Sequence, residues 1–281
     1  MDQYETKATN LLKRVLKIKT EDIDNFRHQS NGYTNHSYVF RLKNKRRYVV
    51  RIGLVDKWLK RENEINVLRL IQNHKSLFNV LYFNPKNGDM VRPYIVGITP
   101  GKQTVYNKKF LKTFALTLKQ FHSIKVPKNT RILVNDFRVY SEFDHYLQPI
   151  YTQAFYQLLN KFEKSIKLVF SHNDLSPWNM IYQAKTNQLT FIDFEWTRLN
   201  FPYVDLANFI KESDLYNTPY EKYVLKCYDP KLKLKTLHQF LYIAAYFSYV
   251  WTYSMFPYKH IVKYRNKMLK MLKSLYSETQ K

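Results

Sequence analysis

The stretch Ser171-His172-Asn173-Asp174-Leu175-Ser176-Pro177-Trp178-Asn179, followed by Phe191-Ile192-Asp193-Phe194-Glu195, holds the residue types that phosphoryl transfer needs. Such a reaction wants a carboxylate to orient the attacking hydroxyl and take its proton, and oxygen ligands to hold Mg²⁺ on the phosphates. Asp174 and Asn179 stand five residues apart on one predicted loop and can serve as base and metal ligand. Asp193 follows Asp174 by nineteen residues, at the end of an apolar run, and supplies the other metal contact. His172 reads as structural, packed under the loop and fixing its backbone. A lone aspartate is most often a turn or cap residue. The pattern H-x-D-x4-N, with an apolar strand ending in Asp behind it, carries the reading instead.

These residues need elements to position them. Leu11, Leu12, Val15 and Ile18 fall at helical spacing, and Ser37–Leu42 and Tyr48–Ile52 read as a hairpin across the polar Lys43–Arg47. Trp58–Gln72 returns to helical period, and Asn79–Phe83 and Met90–Ile95 read as strands around a turn at Pro85–Gly88. After Pro100–Gly101 the pattern is mostly helical: Lys108–His122, Phe137–Phe162, Tyr203–Lys211, and long stretches from Lys231 onward. Leu168–Phe170, Met180–Tyr182 and Leu189–Ile192 are short apolar runs bounded by turns. A small β-rich part, residues 1–96, thus precedes a larger helical part, residues 97–281. No repeat and no Pro/Gly/Ser linker is visible.

Composition sets the frame. With 281 residues, 45% hydrophobic and 17% aromatic, the chain can bury a sizeable core. One cysteine, Cys227, excludes a disulfide framework and a multi-cysteine zinc site. From the charged opening (Asp2, Glu5, Lys7, Lys13, Arg14) no secretory signal is expected. Leu241–Phe256 carries too many Tyr, Ser and Thr residues for a membrane span and reads as a core helix. A cytoplasmic soluble protein is expected. Lys+Arg 46 against Asp+Glu 22 gives +24, but the bases are spread along the chain with no block longer than Lys43–Arg47. Specific nucleic-acid binding is therefore not expected; weak attraction to an anionic membrane surface is a hypothesis. His172–Asp229 runs against the trend, with eight acids against five bases, and points to cations held there.

The chain resembles the choline/ethanolamine kinases within the aminoglycoside-phosphotransferase-like kinases. The resemblance rests on Ser171–Asn179, on Phe191–Trp196 (FIDFEW), on Tyr203–Phe209 (YVDLANF), and on Asn31–Tyr38 (NGYTNHSY) and Tyr48–Gly53 (YVVRIG). It implies an α+β, two-lobed, protein-kinase-like fold: a small antiparallel β lobe with one main helix binding the nucleotide, and a larger helical lobe with the catalytic loop and acceptor pocket. ATP and Mg²⁺ are the implied cofactors. The family's phosphate loop looks like G-G-x-[ST]-N; here it stands as Asn31-Gly32-Tyr33-Thr34-Asn35, one glycine short, although Asn tolerates positive φ. Arg51 fits the position where this family places an arginine on the phosphates. Its carboxylate partner belongs on the next helix, where Glu64 shares a face with Val67, Leu68 and Ile71 while Glu62 points elsewhere. Arg92 and Tyr94 complete the expected nucleotide contacts.

The acceptor is expected to be a small cationic alcohol. Asp205 follows Asp193 by only twelve positions, with no activation segment and no A-P-E-like sequence, which disfavours protein substrates. The resemblance implies that Asp205 braces the catalytic loop and that Glu195, Trp196 and Glu212 face the alcohol. A quaternary ammonium donates no N–H and is recognised through aromatic faces and nearby negative charge. Trp251 matches a family tryptophan; Tyr242, Tyr246, Tyr249 and Tyr253 form a stripe that reads equally as core. Ser248 stands where the family tends to carry a second aromatic, so the cage is thinner or completed by Tyr216 or Tyr249. Choline is the first expectation. Ethanolamine, thiamine or an aminoglycoside is the alternative acceptor, and a kinase-like nucleotide binder without turnover is the alternative class. Oligomeric state is left open.

Overall fold

The computed structural model describes residues 2–29, 35–53, 58–72, 78–255 and 261–279. In chain order the elements are α1 (Gln3–Leu16), β1 (Ile23–Gln29), β2 (Asn35–Leu42), β3 (Arg47–Gly53), α2 (Arg61–Gln72), β4 (Tyr82–Phe83), β5 (Met90–Pro93), α3 (Lys102–Val105) and α4 (Lys108–His122). There follow α5 (Pro149–Glu163), β6 (Val169–Ser171), β7 (Met180–Gln183), β8 (Gln188–Phe191), β9 (Arg198–Asn200), α6 (Pro202–Glu212), α7 (Pro219–Tyr228), α8 (Leu234–Ser254) and α9 (Ile261–Thr279). Two compact units result. One takes in Met1–Thr99, Val126–Ile132 and Trp178–Thr197; the other takes in Pro100–Lys125, Leu133–Pro177 and Arg198–Lys281.

In the first unit five antiparallel strands lie in the order β1-β2-β3-β5-β4. Side chains alternate across a strand. Val50 and Ile52 therefore join Tyr38, Phe40, Leu42 and Val91 in a core closed by Ala8, Leu11 and Leu12 of α1. Each such side chain, fully buried, contributes about 1.5–3 kcal/mol. Arg51 then falls on the opposite face of β3. Arg51 pairs with Met90 and Val49 with Arg92, so Arg51 and Arg92 leave the sheet on the same side. The hairpin β7–β8 belongs to this unit too, in the register Met180 to Phe191.

The second unit is helical around α8, which α5, α6 and α9 all pack against. Aromatic stacking fills it: Phe114 on Phe209 at 3.7 Å, Phe155 on Tyr246 at 4.0 Å and Phe162 on Phe240 at 4.5 Å. Tyr242 and Tyr246 are buried in this core, and their hydroxyls reach Tyr151 O and Asp144. The run Leu241–Phe256 falls on α8 as far as Ser254, with Phe256 outside the described residues. Among the described residues no helix is long and apolar enough to cross a membrane.

The structure departs from the expected elements where chemistry is local. Phe137–Phe162 is not one helix: a 3-10 turn at Ser141–Tyr146 precedes α5, because Pro149 offers no N–H to a preceding turn and begins a helix instead. Strand β1 carries only Ile23 and Phe26 as apolar residues and lies at a sheet edge. Helix α7 has a cue that the periodicity hides: Thr218 caps it by accepting from Tyr220 N, with Pro219 in its first turn.

Candidate active site

In the first unit a network of buried charges forms around Arg51. Its Nη2 donates to Glu64 Oε1 at 2.6 Å, its Nη1 to Asp193 Oδ1 at 3.2 Å, and both Nε and Nη2 to the carbonyl of Gly88, at 3.1 and 3.0 Å. Glu64 is thus the partner that the helix face predicts, while Glu62 is exposed. Burial alone would pull the Arg51 pKa down; Glu64, then Asp193 and Glu195, outweigh it and hold the guanidinium above its ordinary value. Arg61 extends the network: its Nη1 donates to Glu64 Oε2 at 2.7 Å and to Glu195 Oε2 at 2.9 Å, and its Nη2 to Asn35 Oδ1 at 3.3 Å. Gly88 makes room for this, since φ is +79° and a Cβ there would meet the Arg61 guanidinium at 2.5 Å.

Glu195, expected at the alcohol, has its Oε2 held by Arg61 and by Asn35 Nδ2 at 2.9 Å. The physical reason is balance: clustered buried guanidinium groups need carboxylates between them. Arg92 is the exception in this cluster. It is 6% exposed, its Nη1 donates to Pro93 O at 3.2 Å, and it sits over the Phe78 ring at 5.5 Å. Among the described residues no carboxylate pairs with it, and burial, helped by Arg51, lowers its pKa to about 10 against the pull of Asp193. Tyr94 lies under the Arg47 guanidinium at 4.1 Å. Asn31, Gly32 and Thr34 lie outside the described residues.

Asn179 and Asp193 flank the open end of one hairpin. The Met180–Phe191 pair is its last rung, and Ile192 N donates to Asn179 O at 3.0 Å just beyond it. Asp193 follows with φ +65°, a backbone that an aspartate tolerates better than most residues. Both side chains offer oxygen, the donor type that a hard cation such as Mg²⁺ would take. Trp196, half-buried, comes directly after this segment, where Thr197 N closes a turn on Phe194 O.

In the second unit the loop after β6 is clamped by one buried carboxylate. Asp205 Oδ2 accepts from Ser171 Oγ at 2.9 Å and His172 N at 2.8 Å, and its Oδ1 accepts from Asn173 N at 2.7 Å. His122 Nε2 lies 2.9 Å from the same Oδ2, and the other ring nitrogen lies 2.7 Å from Tyr228 OH. Burial would raise the Asp205 pKa; the His122 hydrogen bond and the donors from the loop overcome it and hold the carboxyl below its usual range. Asn173 takes φ +66° and is pinned from both sides, Asn200 Nδ2 donating to its Oδ1 at 2.7 Å and Asn208 Nδ2 to its carbonyl at 2.8 Å. His172 is fully buried, and its Nδ1 accepts from Asp174 N at 3.4 Å. The clamp leaves Asp174 exposed beside the fully buried Leu175.

Glu212, at the end of α6, meets α9. Tyr264 OH donates to Glu212 Oε1 at 2.6 Å, and Trp251 stands edge-on to the Tyr264 ring, centroids 6.2 Å apart at 88°. Burial first, then Glu212, drives the Tyr264 phenol pKa well up, and Asp174 adds to that rise, so the exposed carboxylate belongs to the same neighbourhood. Tyr216 is engaged elsewhere: its hydroxyl donates to Glu278 Oε1 at 2.7 Å and its ring meets His238. Tyr249 hydrogen-bonds to Tyr253 OH at 2.9 Å. Sequence reasoning missed Arg61, His122, Lys211 and Tyr264. Arg61 alone had a readable cue, lying three residues before Glu64 on the same helical face.

A sequence model of the choline/ethanolamine kinase family matches residues 26–281. The chain belongs to that family. The uncharacterized MG356 homolog of Mycoplasma pneumoniae is 27% identical over 98% of this chain and 95% of its own length. Choline kinase LicA from Streptococcus pneumoniae superposes with a TM-score of 0.78 at 19% identity, over 97% of this chain and 100% of that one. A LicA structure in complex with AMP gives 0.78 at 18% identity, over 98% and 100%. These structures share a protein-kinase-like fold with this chain, a small-molecule kinase with an antiparallel sheet and a larger helical part.

Proposed function

We propose that this kinase transfers the γ-phosphoryl group of ATP to the hydroxyl of a small amino alcohol, choline first. The observation that carries the reading is the clamp on Asp205: three loop donors and one histidine converge on a buried carboxylate and leave Asp174 exposed. Asp174 then accepts the proton of the alcohol as its oxygen attacks the γ-phosphorus and ADP departs. Arg51, fixed by Glu64, and Arg92, buried with no carboxylate partner among the described residues, serve the phosphates. Asn31, Gly32, Thr34, Asn35 and Tyr94 complete the nucleotide side. Asn179 and Asp193 would hold Mg²⁺, which when bound neutralises charge on the phosphates.

Choline is favoured by the two rings at right angles, Trp251 and Tyr264, with the exposed Asp174 carboxylate in the same neighbourhood. Aromatic faces with negative charge close by attract a cation that has no N–H to donate. The carboxylate of Glu195, held among arginines, is read here as support for the nucleotide side, and Tyr216 as support for α9. A cytoplasmic site of action fits an ATP-consuming enzyme. The test is ADP release with choline, ethanolamine, thiamine and an aminoglycoside side by side, for wild type and Asp174→Asn. Wild type should turn over an amino alcohol and the variant should lose at least about a hundredfold, the low end of general-base catalysis. Equal rates for the two proteins would end the assignment.

A further inference from the structure

Lys211 precedes Glu212 on α6 and is nearly sealed, its side chain 4% exposed. Its ammonium donates to Ser248 Oγ on α8 and to Tyr264 OH on α9 at 3.3 Å, and pairs with Glu212 Oε1 at 3.0 Å. An ammonium has three donors, and here three acceptors meet them. One of those acceptors, Tyr264, stands edge-on to Trp251, and another, Glu212, accepts from the Tyr264 hydroxyl. The third is Ser248, the position where the sequence departs from an aromatic.

A buried lysine is costly to desolvate, and an apolar side chain would fill the same space at less cost. What Lys211 brings is chemical identity: a primary ammonium on an alkyl stem, the same group that an ethanolamine-type acceptor presents. We infer that Lys211 is an acceptor-discriminating residue, a tethered ammonium that occupies the hydrogen-bond acceptors of the amine subsite. A primary ammonium entering beside Trp251 then finds Glu212, Ser248 and Tyr264 already engaged. A quaternary ammonium needs none of them, only the ring faces, which Lys211 leaves to it. Lys211 and Glu212 also cancel in charge. Sites built around hydrogen bonds reject ligands that cannot make them; this subsite, with its acceptors satisfied internally, rejects the ligand that must.

The inference rests on the amino-alcohol kinase reading, and the experiment separates the two. The ratio of kcat/KM for choline over ethanolamine is measured in wild type, Lys211→Met and Lys211→Arg, with calorimetric binding of both alcohols and a melting curve for each protein. Lys211→Met should lower the ratio at least about tenfold, mainly through a smaller KM for ethanolamine, because a charged hydrogen-bond site is released. Lys211→Arg should keep the wild-type preference. Should Lys211→Met fail to fold, Lys211→Gln, which keeps polar contact with Ser248 and Tyr264 but no charge, carries the same expectation. A lysine that only ties α6 to α8 and α9 would lower both substrates together, and an unchanged or raised ratio in a folded variant overturns the inference. If wild type turns over neither alcohol, the kinase reading is what fails, and the calorimetric affinity ratio decides the role of Lys211.

Discussion

Removing the Asp205 carboxylate is the perturbation with the most calculable outcome. Asp205→Ala leaves Ser171 Oγ, His172 N, Asn173 N and the His122 ring without their acceptor in a buried place. Each buried donor left unmade costs about 1–3 kcal/mol, and water entering the gap recovers part of that. A loss of roughly 3–5 kcal/mol is therefore expected, the size seen when one partner of a buried ionic pair is removed. Against a total stability of about 5–15 kcal/mol the variant still folds at low temperature. Asp205→Asn should lose less, since its amide oxygen can still accept from Asn173 N, while its NH₂ now faces donors. Urea unfolding at neutral pH reads both. The pH dependence follows from the lowered pKa of Asp205. A carboxyl whose folded pKa is depressed contributes fully above its unfolded value of about 4, and the contribution disappears as pH falls through the folded value. The gap between wild type and Asp205→Asn should therefore close below about pH 4. A loss under about 1 kcal/mol for Asp205→Ala, with an unchanged m-value, would refute the clamp as an energetic device.

Arg92 and His238 give predictions of opposite sign. Arg92→Met should hold or raise stability at neutral pH, to within about 1 kcal/mol, because it removes a buried cation with no ion-pair partner among the described residues. Its folded pKa of about 10 is below the ordinary arginine value, so the unfolded chain binds the proton more tightly, and wild-type stability should rise as pH climbs through 10. Thermal melts in the presence and absence of Mg·ATP test both roles: the variant should show a smaller ATP-induced shift, and a marked drop in its unliganded melting temperature would count against this account. His238 bridges Glu221 Oε1 at 3.2 Å and Glu278 Oε2 at 2.7 Å, and Glu221 first, then Glu278, raises its pKa against burial. A raised folded pKa makes its contribution full below about 6.5 and absent once pH exceeds the folded value. His238→Gln should destabilise at pH 6 by less than about 1 kcal/mol and hardly at all at pH 9, with equal effects at both values excluding the charged bridge.

How far the site could be read from the residues depended on the distance over which each interaction acts. The pairing of Glu64 with Arg51 was readable because one helical face fixes which glutamate meets the sheet, and Asp174, Asn179 and Asp193 could be proposed because their spacing is local. Arg61 reaches Glu195 across 134 positions and His122 reaches Asp205 across 83, so no window of sequence holds either pair. Lys211 was counted among the bases of an acidic segment, and only packing against α8 and α9 shows what its ammonium meets. Tyr264 sat in a helix whose tyrosines and lysines carry no periodic mark of a site. Among the elements, β1 was missed because an edge strand needs little apolar alternation, and α7 because a ten-residue helix is announced more by its cap than by its face.

The two units carry one electrostatic arrangement in different forms. Around Arg51 stand the cations Arg51, Arg61 and Arg92 and the anions Glu64, Asp193 and Glu195, a balanced set of side chains among the described residues. On the proposed reading, a cluster with no net charge gives a triphosphate of about four negative charges little long-range attraction, and an added divalent cation would supply it. Near Trp251, Lys211 and Glu212 cancel likewise, and Asp174 is left exposed. In both places most of the buried charges are paired within the protein, Arg92 being the buried cation with no ion-pair partner among the described residues.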